Sequence, residues 1–67
     1  MIREIETTKG TWKIYGVYFT PSDSFHDIVK KAIESGNLRQ SYLQQITGHR
    51  APIQVDRASK EIHFLQF

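Results

Sequence analysis

The stretch GTWKIYGVYF, residues 10 to 19, constrains the fold more than any other segment of the chain. Its β-branched and aromatic residues favour a β-strand, in which side chains alternate between two faces. One face then carries Trp12, Ile14, Gly16 and Tyr18, and the other carries Lys13, Tyr15, Val17 and Phe19. Both faces are rich in apolar and aromatic side chains, so we expect the strand to be covered on both sides.

The segments around this strand predict two β-hairpins. Residues 2 to 8 end at the turn signal Lys9-Gly10, which joins them to the strand. Residues 53 to 56 and 61 to 67 alternate between apolar and polar side chains and are separated by the turn-like sequence RASK. Two hairpins together supply four strands.

Two helices are predicted between the hairpins. Ser24 is the expected N-cap of the first helix, and Gly36 is the residue at which it is expected to stop. The apolar residues between them recur at i, i+3, i+4, i+7 and i+8, the pattern of a helix with one buried face. Asn37 is the expected cap of a second, shorter helix that ends at Gly48.

These elements predict a single α+β domain over residues 1–67, with the order ββααββ. We expect a four-stranded, mostly antiparallel sheet with one main helix and one short helix, arranged as two layers or as a half-barrel. The side chains expected to form most of the core are Phe25, Ile28, Val29, Ala32, Ile33, Leu43, Ile46, Ile53, Val55, Ile62 and Phe64.

Three arrangements would cover the second face of the strand. The sheet can curl round its own core with Gly16 as the bend, a second copy of the protein can pack against it, or a different partner can cover it. Aromatic anchors commonly dominate the energy of an interface, so aromatic and apolar side chains of the second and last strands are the candidate contacts. The candidate protein interface comprises Trp12, Tyr15, Val17, Phe19, Leu65 and Phe67.

The length and composition of the chain favour association. A chain of 67 residues buries only about 60% of the surface that its unfolded form exposes. It has no cysteine for a disulfide, and His26, His49 and His63 lack the spacing of a metal site. A homo-oligomer, with a dimer favoured, or a complex with another protein remains as the source of added stability.

No segment of the sequence matches a catalytic or cofactor-binding motif. The four glycines are isolated, so none of them forms a phosphate-binding loop. Ser24 and Asp27 are explained by helix capping, and His63 lies on an apolar strand, which is more typical of a structural histidine than of a catalytic base. We therefore expect no catalytic residue, no cofactor and no metal. The predicted function is that of a small non-enzymatic binding or regulatory module acting through protein–protein contacts.

A nucleic-acid-binding regulator is the alternative function. Residues 30 to 67 carry six basic and three acidic side chains in a chain of net charge +2. Cations in this half are suited to phosphates, and polar side chains of the second helix are suited to base edges. The candidate anion or nucleic-acid contacts are Arg39, Gln40, Gln44, His49, Arg50, Arg57 and Lys60.

The sequence also bears on location. No apolar run approaches the ~18 residues that a membrane-spanning helix requires. The absence of cysteine fits a reducing compartment. We therefore expect a cytoplasmic protein with no membrane partner.

Overall fold

The computed structural model of the protein describes residues 2–16 and 23–65. Over these residues the chain forms two strands, two helices and two further strands, so the predicted order ββααββ is confirmed. The elements are β1 (Ile2–Thr7), β2 (Gly10–Gly16), α1 (Asp23–Ser35), α2 (Gln40–Thr47), β3 (Ile53–Asp56) and β4 (Glu61–Phe64). The protein has a small α+β fold.

The four strands form one sheet of order β1-β2-β4-β3, with the second strand of each hairpin at the centre. Both hairpins are antiparallel pairs, but β2 and β4 run parallel to each other. The sheet is therefore mixed, and the prediction of a mostly antiparallel sheet is wrong. The reason is the crossover between the central strands. Two helices and β3 connect β2 to β4, and a parallel pair requires such a long connection.

The core lies between the helices and one face of the sheet. Ile14 and Ile62 face each other across the central strand pair, and both are fully buried. Val29, Ile33 and Leu43 belong to the same cluster and close it from the helix side. Burial of these apolar side chains on a single face is what holds the helices against the sheet.

Most of the predicted core is buried, and four of its members lie at the edge. Phe25, Ile46 and Val55 pack against the buried cluster and are half-buried, as is Ile28. The buried apolar residues outside the predicted core are Ile5, Trp12, Ile14, Leu38 and Ala51.

The helices end at the predicted glycines. Gly36 and Gly48 follow α1 and α2 directly and have positive φ values of 81° and 75°. A residue without Cβ adopts this left-handed conformation at little cost. The predicted start of the first helix is wrong, because α1 begins at Asp23 and includes Ser24.

The start of α2 also differs from the prediction. Its N-cap is Arg39 rather than Asn37, and Arg39 makes no side-chain capping hydrogen bond. Leu38 and Leu43 occupy the positions of a hydrophobic staple, one before the cap and one in the first turn, and both are buried. Apolar packing, and not a polar cap, therefore accounts for where this helix begins.

The second and fourth strands were predicted to extend further than the structure describes them. β2 ends at Gly16 and β4 ends at Phe64. The predicted continuation of β2 over residues 17 to 19 lies outside the described residues. Leu65 follows β4 without belonging to it, and Phe67 also lies outside the described residues.

Candidate functional site: the open face of the sheet

The side chains that alternate with the core point away from the helices, and we call the surface they form the open face. Residues opposite each other in neighbouring strands share a face, so the register assigns its members. All of those described are exposed or half-buried. They are Glu4, Glu6, Thr11, Lys13, Tyr15, Gln54, Asp56, Glu61 and His63.

Three side chains form a group at the centre of the open face. Tyr15 and His63 are partners in the parallel pair, and their rings stack with centroids 4.4 Å apart and planes 2° from parallel. Nε2 of His63 lies 3.0 Å from Oε1 of Glu61, and the Tyr15 hydroxyl donates a longer hydrogen bond of 3.4 Å to Oε2. The parallel register creates the group, because it places β2 and β4 side by side.

This central group remains partly accessible to solvent. The side chains of His63 and Glu61 keep 31% and 28% of their surface exposed. A carboxylate has about four lone-pair positions. The contacts to His63 and Tyr15 use two of them, so Glu61 retains the capacity to accept hydrogen bonds from a partner. The group thus combines a planar aromatic pair with an anionic acceptor.

The open face carries a negative charge. Glu4, Glu6, Asp56 and Glu61 supply four carboxylates, and Lys13 supplies the one ammonium among its described side chains. Lys13 lies between Glu4 on β1 and Glu61 on β4. The rest of the chain carries eight basic and three acidic residues. The face is therefore an acidic surface on a basic protein, and it attracts positive charge.

Asp56 closes the turn at the end of β3. Its Oδ1 accepts a hydrogen bond of 3.1 Å from the backbone N–H of Ser59. This hydrogen bond is the largest cause that lowers the pKa of Asp56 from its ordinary value of 3.8, and a loss of hydration opposes it. Because a hydrogen bond to the charged form favours ionisation, Asp56 contributes a carboxylate to the open face at neutral pH.

The residues of the predicted protein interface lie in different places. Tyr15 lies on the open face, and Leu65, just beyond β4, is 40% exposed. Trp12 belongs instead to the core, with only 6% of its surface exposed, so it is not a surface contact. Val17, Phe19 and Phe67 lie outside the described residues.

Three of the predicted anion contacts hold the fold together. The side-chain oxygen of Gln40 accepts a hydrogen bond from Ile53 N at 3.0 Å, and the Gln44 amide donates one to Ala51 O at 2.9 Å. Nε2 of His49 donates to the Leu65 carbonyl at 2.8 Å. These side chains tie α2 to the start of β3 and to the loop before it, and they tie that loop to the chain just beyond β4.

The four arginine and lysine candidates are exposed but do not form one surface. Arg57 and Lys60 lie in the turn that precedes β4. Arg39 precedes α2 and Arg50 follows it. The loop that holds Arg50 lies near the C-terminal end of β4, because His49 in this loop binds the carbonyl of Leu65. Lys9 joins the first pair, because the β1–β2 turn lies at the same end of the parallel strands. The predicted set is thus divided between two ends of the sheet.

The group around Glu61 was not predicted from the sequence. His63 was expected to be a structural histidine, and Glu61 was not among the candidate residues. Their spacing of two residues on one strand indicates a shared face, which is the available signal. Their contact with Tyr15 depends on the parallel neighbour relation of β2 and β4, which the alternation of side chains does not reveal.

Two further features were sought in the part of the chain that the structure describes, a cluster of metal ligands and a membrane-spanning helix. No three histidine or acidic side chains come together there in a way that would hold a metal ion. Neither described helix has the length and apolar character needed to cross a membrane. Comparison of the chain with protein-family models, curated protein sequences and solved structures returned no match.

Proposed function

We propose that this protein is a small non-enzymatic binding module that acts through protein–protein contacts made by the open face. The observation that carries this proposal is the division of the sheet into two faces. One face is buried by α1 and α2, whereas the other presents the stacked pair Tyr15 and His63 with no covering element among the described residues. An aromatic group on an accessible face is a suitable anchor for a partner.

Two kinds of partner fit a binding module of this type. A second copy would make the protein a homodimer, and a different protein would make it an adaptor or regulator. Charge weighs against symmetric pairing of two open faces, because eight carboxylates would then face only two lysine ammonium groups. Like charges brought together in an interface are unfavourable. A different protein is the partner that we favour.

Site-specific photo-crosslinking in the native host tests which surface is used. Thr11 is exposed on the open face, and Lys31 is exposed on α1, on the other side of the molecule. Each is replaced in turn by benzoylphenylalanine, which leaves the central group intact. We expect a discrete protein adduct from the Thr11 variant and none from the Lys31 variant. Adducts of equal yield from both positions, or from Lys31 alone, would contradict the proposal.

A second candidate function is nucleic-acid binding at the end of the sheet where both hairpins turn. Lys9, Arg57 and Lys60 are exposed there, and the Lys60 ammonium lies close to Gly10. The two turns therefore place three cationic residues at one end of the sheet. Cations placed in this way neutralise phosphates whatever the base sequence.

Salt dependence tests this second candidate. Binding through three phosphates gives a log-log slope of about −2 to −3 for affinity against salt concentration. A triple alanine variant at Lys9, Arg57 and Lys60 should abolish the retardation of short RNA or DNA in a gel. The matched control removes three other exposed or half-buried cations, namely Lys30, Lys31 and Arg39. Equal losses for both triple variants would indicate general charge attraction and not a site.

A further inference from the structure

We propose that the partner of the open face is a basic protein segment, bound through an arginine side chain at the group of Tyr15, Glu61 and His63. This inference rests on the proposed function, and it specifies the chemistry of the partner. A surface rich in acidic groups alone would not identify a ligand. Here the stacked aromatic pair adds a second, geometrical constraint.

The sign of the net charge on the open face selects a cationic partner. The open face opposes four carboxylates to one ammonium, although the whole chain has nine basic and seven acidic residues. Complementary potentials steer association and reject partners of the wrong sign. A nucleic acid or an anionic membrane surface is therefore repelled by this face. A cationic segment is attracted to it.

The shape of the central group favours an arginine side chain. The rings of Tyr15 and His63 lie 2° from parallel, and Glu61 lies beside them with lone pairs free of the two internal contacts. A guanidinium is planar, stacks on aromatic rings and donates two parallel hydrogen bonds to a carboxylate. A lysine ammonium is a compact charge that gains less from such a group. Arginine is thus the side chain that uses both features.

The carboxylates of β1 can bind further cations of the same partner. Glu4 lies across Lys13 from Glu61, and Glu6 lies further along β1 towards the hairpin turn. Neighbouring strands are about 4.8 Å apart and successive residues on one face about 6.6 Å apart. A basic segment in an extended conformation can therefore place one cation at Glu61 and a second near Glu4 or Glu6. Glu4 thus lies about 9.6 Å and Glu6 about 12 Å from Glu61, and an extended peptide with cations at alternate positions brackets these distances with cations about 6.6 and 13 Å apart.

The test uses the full chain, labelled with nitrogen-15, and a short acetylated peptide in which arginine alternates with glycine. Two further peptides carry lysine or glutamate in place of arginine. We expect the arginine peptide to bind with a dissociation constant on the order of 0.1 to 1 mM. The amide shifts should concentrate on β2 and β4, and the lysine peptide should bind at least about threefold more weakly because it lacks the planar fork.

Three variants locate the contact. Glu61→Gln and Glu4→Gln each remove one carboxylate from the open face, whereas Asp27→Asn removes one from the exposed side of α1. We expect Glu61→Gln to weaken binding of the arginine peptide about fivefold or more, since a hydrogen bond to a charged group is lost. Glu4→Gln should weaken it about twofold, and Asp27→Asn should leave it unchanged. Well-dispersed amide spectra establish that each variant is folded.

The outcomes separate this inference from the proposed function. No shift with the arginine peptide, equal affinity for the lysine or glutamate peptide, or equal effects of Glu61→Gln and Asp27→Asn would each overturn the arginine site. Concentration-dependent shifts on the open face without peptide would replace the basic partner with a second copy. If crosslinks still form at Thr11 in any of these cases, the face remains a protein-binding surface. If they do not, both proposals fail.

Discussion

At the scale of single residues, Lys60 holds an unfavourable backbone conformation. It is the one non-glycine residue with positive φ among those described, at 57°. Its carbonyl accepts a hydrogen bond from Lys13 N at 2.9 Å, which joins the start of β4 to β2. An L-residue in the left-handed region costs roughly 1–2 kcal/mol. The turn therefore accepts local strain at the point where the parallel strand pair begins.

Replacing Lys60 by glycine should stabilise the protein. We expect the free energy of unfolding to rise by about 0.5–1 kcal/mol, because relief of the strain exceeds the added entropy of glycine in the unfolded chain. Urea denaturation monitored by circular dichroism measures the change. Lys60→Ala is the matched control, since it removes the same charge and keeps Cβ. A Lys60→Gly variant no more stable than Lys60→Ala would show that the conformation carries no strain.

Asp56 should make stability depend on pH in the acid range. Its lowered pKa means that its contribution is present above the ordinary value of 3.8 and is lost as the pH falls through the lower folded value. We expect wild type to lose stability more steeply than Asp56→Asn between about pH 5 and pH 2. Thermal denaturation across this range measures the difference. Parallel curves for Asp56→Asn and wild type would refute this role.

At the scale of elements, the second helix is held by its own polar side chains. Gln40 and Gln44 are one helical turn apart and bond the backbone of Ile53 and Ala51. A helix of eight residues is too short to be stable alone, so such contacts decide whether it forms. Gln40 and Gln44 were candidates for contacts with nucleic-acid bases, and in the structure they hold α2 in place.

Gln44→Ala should therefore destabilise the fold. We expect the free energy of unfolding to fall by about 1 kcal/mol, because the part-buried hydrogen bond to Ala51 O is lost. Gln45→Ala, at an exposed neighbouring position of α2, should change it by less than about 0.5 kcal/mol. Urea denaturation of both variants provides the measurement. Equal and small effects of the two substitutions would show that the hydrogen bond from Gln44 does not stabilise the fold.

The sequence predicted the elements better than their arrangement. The apolar stripe and Gly36 and Gly48 indicated both helices, because periodicity and glycine stops are local properties. The pairing of β2 with β4 was not predicted, since it brings residues some fifty positions apart into contact. The core role of Trp12 was missed for a related reason. When both faces of a strand carry aromatic residues, alternation separates the faces but does not say which one the helices cover.

At the scale of the whole molecule, charge divides the surface. The open face has an excess of carboxylates, whereas eight of the nine basic residues lie elsewhere. This division was not apparent from the sequence, where the four carboxylates of the open face are dispersed over three strands. It emerged only when the register placed Glu4, Lys13, Glu61 and Asp56 in one row. The candidate site therefore depends on tertiary structure far more than the helices do.

The same division predicts that the isolated protein does not pair through its open face. Wild type at about 100 μM and low salt should have the mass of a single chain in light scattering. Dimerisation through this face would bring like charges together, and this repulsion works against the association that a high concentration favours. Tyr15→Lys, which places a cation at the centre of the face, should have the same mass. A dimeric wild type that Tyr15→Lys converts to monomer would restore self-association as the function of this surface. A dimer that survives the substitution would place the interface elsewhere and leave the open face available for a basic partner.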